Sequence, residues 1–99
     1  MSAPRERWDR LNATLADAGI TAAVTSKKYA GRTSYNIIIR IEGAVIVVHD
    51  GYWHDMWTGW SVYREDLATG FSTQAGRRMK TRNEVLAAVR AARGDAVTA

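Results

Sequence analysis

Apolar side chains recur at helical spacing near the beginning of the chain. Trp8, Leu11, Leu15 and Ala18 fall on one stripe of a helix, and polar residues occupy the other positions. Gly19 follows as a residue that commonly ends helices. The pattern predicts an amphipathic helix that buries this stripe against a core.

A second helix is predicted near the end of the chain. Thr81 and Glu84 have the spacing of a capping box, in which the two side chains satisfy backbone groups at the helix start. Gly94 is suited to end the helix. The stripe predicted to be buried comprises Val85, Leu86, Val89 and Ala92.

Between the helices the apolar spacing changes to the alternation that is typical of strands. Four strands are predicted, over residues 20–25, 34–41, 44–49 and 60–64, with 71–74 as a possible extra one. Residues 27–33 are expected to form a turn or a ragged hairpin, and the structure of 52–59 is left open.

The order of elements predicts an α+β fold, with an antiparallel sheet of three to four strands flanked by an N-terminal and a C-terminal helix, both on one face. A chain of 99 residues fits a single domain, here residues 1–99. Residues 1–3 and 95–99 are expected to be frayed.

Composition narrows the functional classes. The sequence has no cysteine, which excludes disulfides and thiolate chemistry and agrees with a reducing compartment. No apolar run approaches the roughly 20 residues of a membrane span, and the first residues lack the apolar core of a signal peptide. We therefore expect a cytoplasmic protein without membrane contact. The net charge of +4 makes it mildly basic and permits nucleic acid as a partner.

Catalytic motifs are missing from the sequence. His49-Asp50 and His54-Asp55 could contribute to a metal or acid–base site, but no further ligand, nucleophile or phosphate-binding loop accompanies them. The interpretation favoured for these pairs is a strand end and a turn. We expect no enzyme activity, no metal, no cofactor and no small-molecule substrate.

An aromatic segment is the first candidate binding site. Tyr52, Trp53, Trp57 and Trp60 occur within nine residues, separated by Gly, His and Asp. The segment could be a lid over the core, a stacking platform for bases, or an exposed anchor for a protein partner. We predict that Trp60 is buried, that Trp53 or Trp57 is substantially exposed, and that Tyr52, Trp53 and Trp57 bind a protein partner or mediate self-association.

A basic cluster is the alternative site. Arg77, Arg78, Lys80 and Arg82 precede or open the last helix, and Arg90 is expected on the same rim as Arg82. Such a cluster is either a solvated surface or, beside the N–H groups of a helix start, a phosphate-binding surface of a nucleic-acid-binding accessory protein.

The chain also bears a resemblance of style. Arg outnumbers Lys 11 to 3, Ala occurs 16 times, and residues 78–85 read RMKTRNEV. In these respects it resembles small uncharacterised proteins of actinobacteria and their bacteriophages. The resemblance implies no activity. It underlies the hypothesis of a small phage-encoded interaction protein that docks on a host protein.

Overall fold

A computed structural model describes residues 4–94. The two segments predicted to fray, 1–3 and 95–99, lie outside the described residues. The elements in chain order are α1 (Pro4–Asp17), β1 (Ala23–Tyr29), β2 (Arg32–Ile41), β3 (Ala44–Trp53), β4 (Met56–Asp66), β5 (Ser72–Met79) and α2 (Arg82–Arg93). Neither helix is long and apolar enough to cross a membrane.

The strands form one antiparallel sheet in the order β1-β2-β3-β4-β5. The predicted α+β fold with a helix at each end is confirmed, but the sheet has five strands and not three to four. The fifth strand is β5, because the possible strand at 71–74 extends to Met79. The expected ragged hairpin at 27–33 adds no strand but lengthens β1 and completes its pairing with β2.

Sequence periodicity identifies β1 and β5 only in part, at 20–25 and 71–74, because both strands lie at the edges of the sheet. In β5 only Met79 is buried. β1 ends in polar residues and turns through Ala30 and Gly31, whose φ angles of 50° and 78° suit a tight hairpin turn. An edge strand that buries few side chains needs few apolar residues, so its sequence lacks the alternation of apolar and polar positions that predicts a strand.

Helix α1 buries the stripe that the sequence predicts, since Trp8, Leu11 and Leu15 are fully buried. Its end is closed as the glycine suggested: Gly19 has a φ of 79°, and the N–H of Ile20 donates to the carbonyl of Leu15 at 2.9 Å. The buried side chain of Ile20 then anchors the chain as it enters β1.

Helix α2 begins and ends as predicted, but one buried position differs. The hydroxyl of Thr81 accepts the N–H of Glu84 at 3.2 Å, and Gly94 is left-handed. Val85, Ala88, Val89 and Ala92 are buried, whereas Leu86 is only half-buried. The prediction for Leu86 was wrong, because the stripe is centred one position further round the helix and leaves it at the rim.

Both helices pack on one face of the sheet and share one core. The register places Ile37, Val48 and Val62 side by side on that face, and all three are fully buried. The opposite face carries half-buried Ile38, Val47 and Tyr63, which no other described element covers. The molecule is therefore two layers, helices on a sheet.

The two edges of the sheet carry positive charge. β1 presents Lys27 and Lys28. On the other side, the pairing of β5 with β4 shifts between Val62↔Gly76 and Trp60↔Met79, which gives β5 an additional residue. Arg78 lies in this bulge with a φ of 52°. Both edges are thus marked by features that hinder pairing with a further strand.

Candidate functional site

The aromatic segment forms a two-stranded ribbon at one end of the sheet. β2 pairs with β3 no further than His49, and β5 pairs with β4 no further than Trp60. Beyond these points β3 and β4 continue together and turn at residues 54–55. Residues 50–59, here called the aromatic ribbon, therefore have no neighbouring strand paired on either side.

The tip of the aromatic ribbon exposes large apolar side chains. His54 has a φ of 55°, as the first loop residue of a favoured two-residue hairpin turn requires. Trp53 and Met56 face each other across the turn, and each is 69% exposed. Tyr52 is 50% exposed. The turn thus holds three apolar side chains in contact with solvent.

A bulge separates Trp57 from this tip. The register of β3 and β4 shifts between Gly51 and Tyr52, because Thr58 is an extra residue on β4. Trp57 and Trp60 are three residues apart and would lie on opposite faces of a regular strand. The bulge instead brings both onto the helix side, where their rings make an edge contact with centroids 4.9 Å apart.

The tryptophans differ in burial. Trp60 is 3% exposed and packs against Trp8, and Trp53 is exposed, so the predicted burial of Trp60 and exposure of Trp53 or Trp57 are confirmed. Trp57 is half-buried beside the core. The structure therefore places Tyr52 and Trp53 at the tip and Trp57 elsewhere, while Met56 joins the tip without having been predicted.

Cations surround the indole of Trp57. The guanidinium carbon of Arg7 lies 4.2 Å from the ring centroid, and the ammonium nitrogen of Lys80 lies 5.7 Å from it. At these distances both charges are attracted by the ring. Arg7 belongs to α1 and Lys80 precedes α2, so Trp57 connects the starts of the two helices.

A groove of about 540 Å³ lies between these helix starts. It is lined by Arg7, Arg10, Thr14, Trp57, Trp60, Lys80, Thr81, Arg82 and Asn83. Sequence patterns do not single out Arg7 and Arg10, because on α1 they belong to an ordinary polar face. Only the position of Trp57, which depends on the bulge, shows that this face meets the basic cluster.

The structure divides the predicted basic cluster. Lys80 and Arg82 line the groove. Arg77 and Arg78 are exposed in and beside the bulge of β5, outside the groove lining. Arg90 lies in the last turn of α2, at the other end of that helix. Five residues predicted as one surface therefore occupy three places.

The two His-Asp pairs do not form a site. His49 stacks on Tyr63 on the open face of the sheet, with ring centroids 4.8 Å apart, whereas Asp50 is paired with Trp60 on the helix side. His54 is in the turn. Within residues 4–94, no group of three or more His, Asp or Glu side chains could hold a metal ion.

The carboxyl of Asp50 has an altered pKa. Burial raises the pKa above its ordinary value, and the positive charge of Arg7 offsets part of that increase. Asp50 also lines, with Tyr35 and Tyr52, a second cleft of about 440 Å³ at the base of the aromatic ribbon. An acid whose pKa is raised by burial makes the folded state less stable at neutral pH.

The fold and these surfaces define a small α+β domain with an aromatic tip and a basic groove. Comparisons with protein-family models, with curated proteins and with solved structures give no match.

Proposed function

We propose that this protein is a small non-enzymatic interaction protein that docks on a protein partner through the tip of the aromatic ribbon. The observation that supports this most strongly is the exposure of Trp53 and Met56, each 69%, on a protruding hairpin. Large aromatic side chains contribute much of the binding energy of protein interfaces. Exposed apolar groups held by a defined turn bind at a small cost in conformational entropy.

Charge favours a protein over nucleic acid at this tip. The aromatic ribbon contains Asp50 and Asp55 and no Lys or Arg, although the chain as a whole has a net charge of +4. The ribbon therefore supplies no cation of its own to the phosphates of a polyanion. The partner we propose offers an apolar pocket for Trp53 and Met56, with neutral or basic residues around it.

The test uses capture from a nuclease-treated extract of an actinobacterial host, with the intact chain as bait. Trp53→Ala and Met56→Ala remove the proposed anchors. Phe71→Ala is the matched control, because Phe71 is 73% exposed but lies in the connection between β4 and β5, at the opposite end of the sheet. We expect one protein that is recovered with the native chain and with Phe71→Ala, and is lost with the two tip variants.

Direct binding to the recovered protein then measures the anchor. Loss of an interface aromatic anchor is expected to cost about 2 kcal/mol or more, which is roughly thirtyfold in Kd. Equal recovery with all four chains would contradict docking through the tip. Concentration-dependent dimerisation of the native chain that Trp53→Ala abolishes would instead show that the tip receives a second copy.

The cellular setting forms part of the same proposal. We propose a phage-encoded protein that acts on a host protein in the cytoplasm, supported by the absence of cysteine and by the compositional resemblance described above. Recovery of the partner from a host cytoplasmic fraction is the observation that would support this setting.

A further inference from the structure

The groove between the helix starts has the chemistry of an anion site. Arg7 and Arg10 on α1 form one wall, and Lys80 and Arg82 at the start of α2 form the other. No described Asp or Glu lines it. Arg10 pairs with Glu6 at 2.6 Å, whereas Lys80 and Arg82 have no ion pair within residues 4–94. Positive charge in this concave surface is therefore left without a counter-ion from the protein.

Hydrogen-bond donors add to this charge. The N–H groups at the start of a helix have no acceptor within the helix, and α2 directs this end to the groove through Arg82 and Asn83. The groove therefore offers backbone N–H donors to a ligand in addition to its cations.

We propose that this groove binds the phosphate groups of a single-stranded nucleic acid. Cations on both walls match a chain of phosphates better than one small anion. A volume of about 540 Å³ is enough for a nucleotide. The half-buried indole of Trp57 borders the same space and holds the guanidinium of Arg7 4.2 Å from its centroid, and unpaired bases of a single strand stack on such guanidinium planes as well as on aromatic rings.

The proposal is independent of docking through the aromatic tip, because the two surfaces share no side chain. Trp53 and Met56 do not line the groove. Trp53→Ala should therefore leave nucleic-acid binding unchanged, and a failure of one proposal does not imply a failure of the other.

The test measures the fluorescence anisotropy of a labelled oligothymidine of about twelve nucleotides, a length within the usual site size of single-strand binders. For a single strand, each phosphate contact adds about −0.7 to the slope of log affinity against log salt concentration. One contact therefore raises the affinity at about 50 mM salt about eightfold relative to about 1 M salt. Lys80→Gln and Arg82→Gln should each lower the affinity by about that factor. The double variant should also reduce the slope by about 1.4.

Arg90→Gln is the matched control. It removes the same charge from the same helix but at the opposite end, outside the groove. The affinity of this variant for oligothymidine should change less than twofold, because salt screens charges that lie far from the bound strand. Unchanged melting temperatures of the variants would show that losses in affinity are not losses of fold.

Four results would overturn the proposal. The first is absence of oligothymidine binding at about 50 mM salt. The second is an equal loss with Arg90→Gln, which would show unspecific attraction and not the groove. The third is equal or tighter binding of a duplex of the same length. The fourth is saturable binding of inorganic phosphate without binding of the strand, which would assign the groove to a small anion.

Discussion

The ring of Trp57 meets that of Trp60 at an interplanar angle of 80°, although the two residues are three positions apart on one strand. This contact exists because β4 contains a bulge, and Gly59 is the residue that permits it. Gly59 has a φ of 118°. A β-carbon there would lie 2.7 Å from the backbone of both Arg78 and Met79. The aromatic pair and the basic groove thus depend on a position without a side chain.

Gly59→Ala should therefore destabilise the domain strongly. Backbone strain and the clash with β5 together are expected to cost about 3 kcal/mol in the free energy of unfolding. Gly70→Ala is the control, because Gly70 also has a positive φ, 73°, but an added β-carbon would meet nothing within 4 Å. That variant should lose about 1–2 kcal/mol, the cost of the left-handed conformation alone. Equal losses in urea unfolding would argue against close contact at Gly59.

Trp53 at the tip of the aromatic ribbon and Trp60, which follows the ribbon, should respond differently to truncation. Trp60→Ala removes a buried ring that contacts both Trp8 and Trp57, and should cost about 3–5 kcal/mol. Trp53→Ala removes an exposed ring and should change stability by about 0.5 kcal/mol. Thermal unfolding of the two variants measures both. A large loss for Trp53→Ala would show that its side chain packs within the fold.

Asp50→Asn should stabilise the protein at neutral pH. Because burial raises the pKa of Asp50, the folded state binds the proton more tightly than the unfolded state. The stability from this group is complete below the ordinary value near 3.8 and is lost as the pH rises through the higher pKa of the folded state. The variant should melt at a higher temperature than the native chain at pH about 7, and the difference should shrink towards pH about 3.5. A lower melting temperature at neutral pH would show that the attraction of Arg7 outweighs burial.

In α2, truncation of the smaller residue Val89 should cost more stability than truncation of the larger residue Leu86. Val89 is fully buried and Leu86 is half-buried at the rim. Val89→Ala should cost about 2 kcal/mol, whereas the larger truncation Leu86→Ala should cost about 1 kcal/mol. The midpoints of denaturant unfolding of the two variants measure this difference, provided that the dependence of the unfolding free energy on denaturant concentration is unchanged. The opposite order would place Leu86 in the core, as helical spacing had suggested.

Sequence reasoning succeeded where a local rule determines the structure. The cap at Thr81 and the apolar stripe of Trp8, Leu11 and Leu15 are set by neighbours within one or two turns, so periodicity and capping rules identify them. The burial of Trp60 beside Val62 follows from the same kind of alternation.

It failed where the structure depends on distant contacts. β5 is a strand because β4 pairs with it, and its own residues are mostly exposed. The groove requires Arg7 and Lys80 to meet at Trp57, although they are 73 positions apart in the sequence. The bulge at Gly59 decides that meeting, and a glycine in a strand signals a bulge or a close backbone approach without fixing which face the next side chain takes.

The charged edges of the sheet have a consequence for the behaviour of the protein at high concentration. Sheets with bare edges can polymerise by adding strands from other molecules. Here the charges of Lys27 and Lys28 hinder pairing at one edge, and the bulge at Arg78 distorts the other edge. The aromatic ribbon carries no Lys or Arg, and its backbone is unpaired with a third strand on both sides. Polymerisation is thus opposed along the body of the sheet, and the ribbon is the part of it whose backbone has no strand beside it on either side.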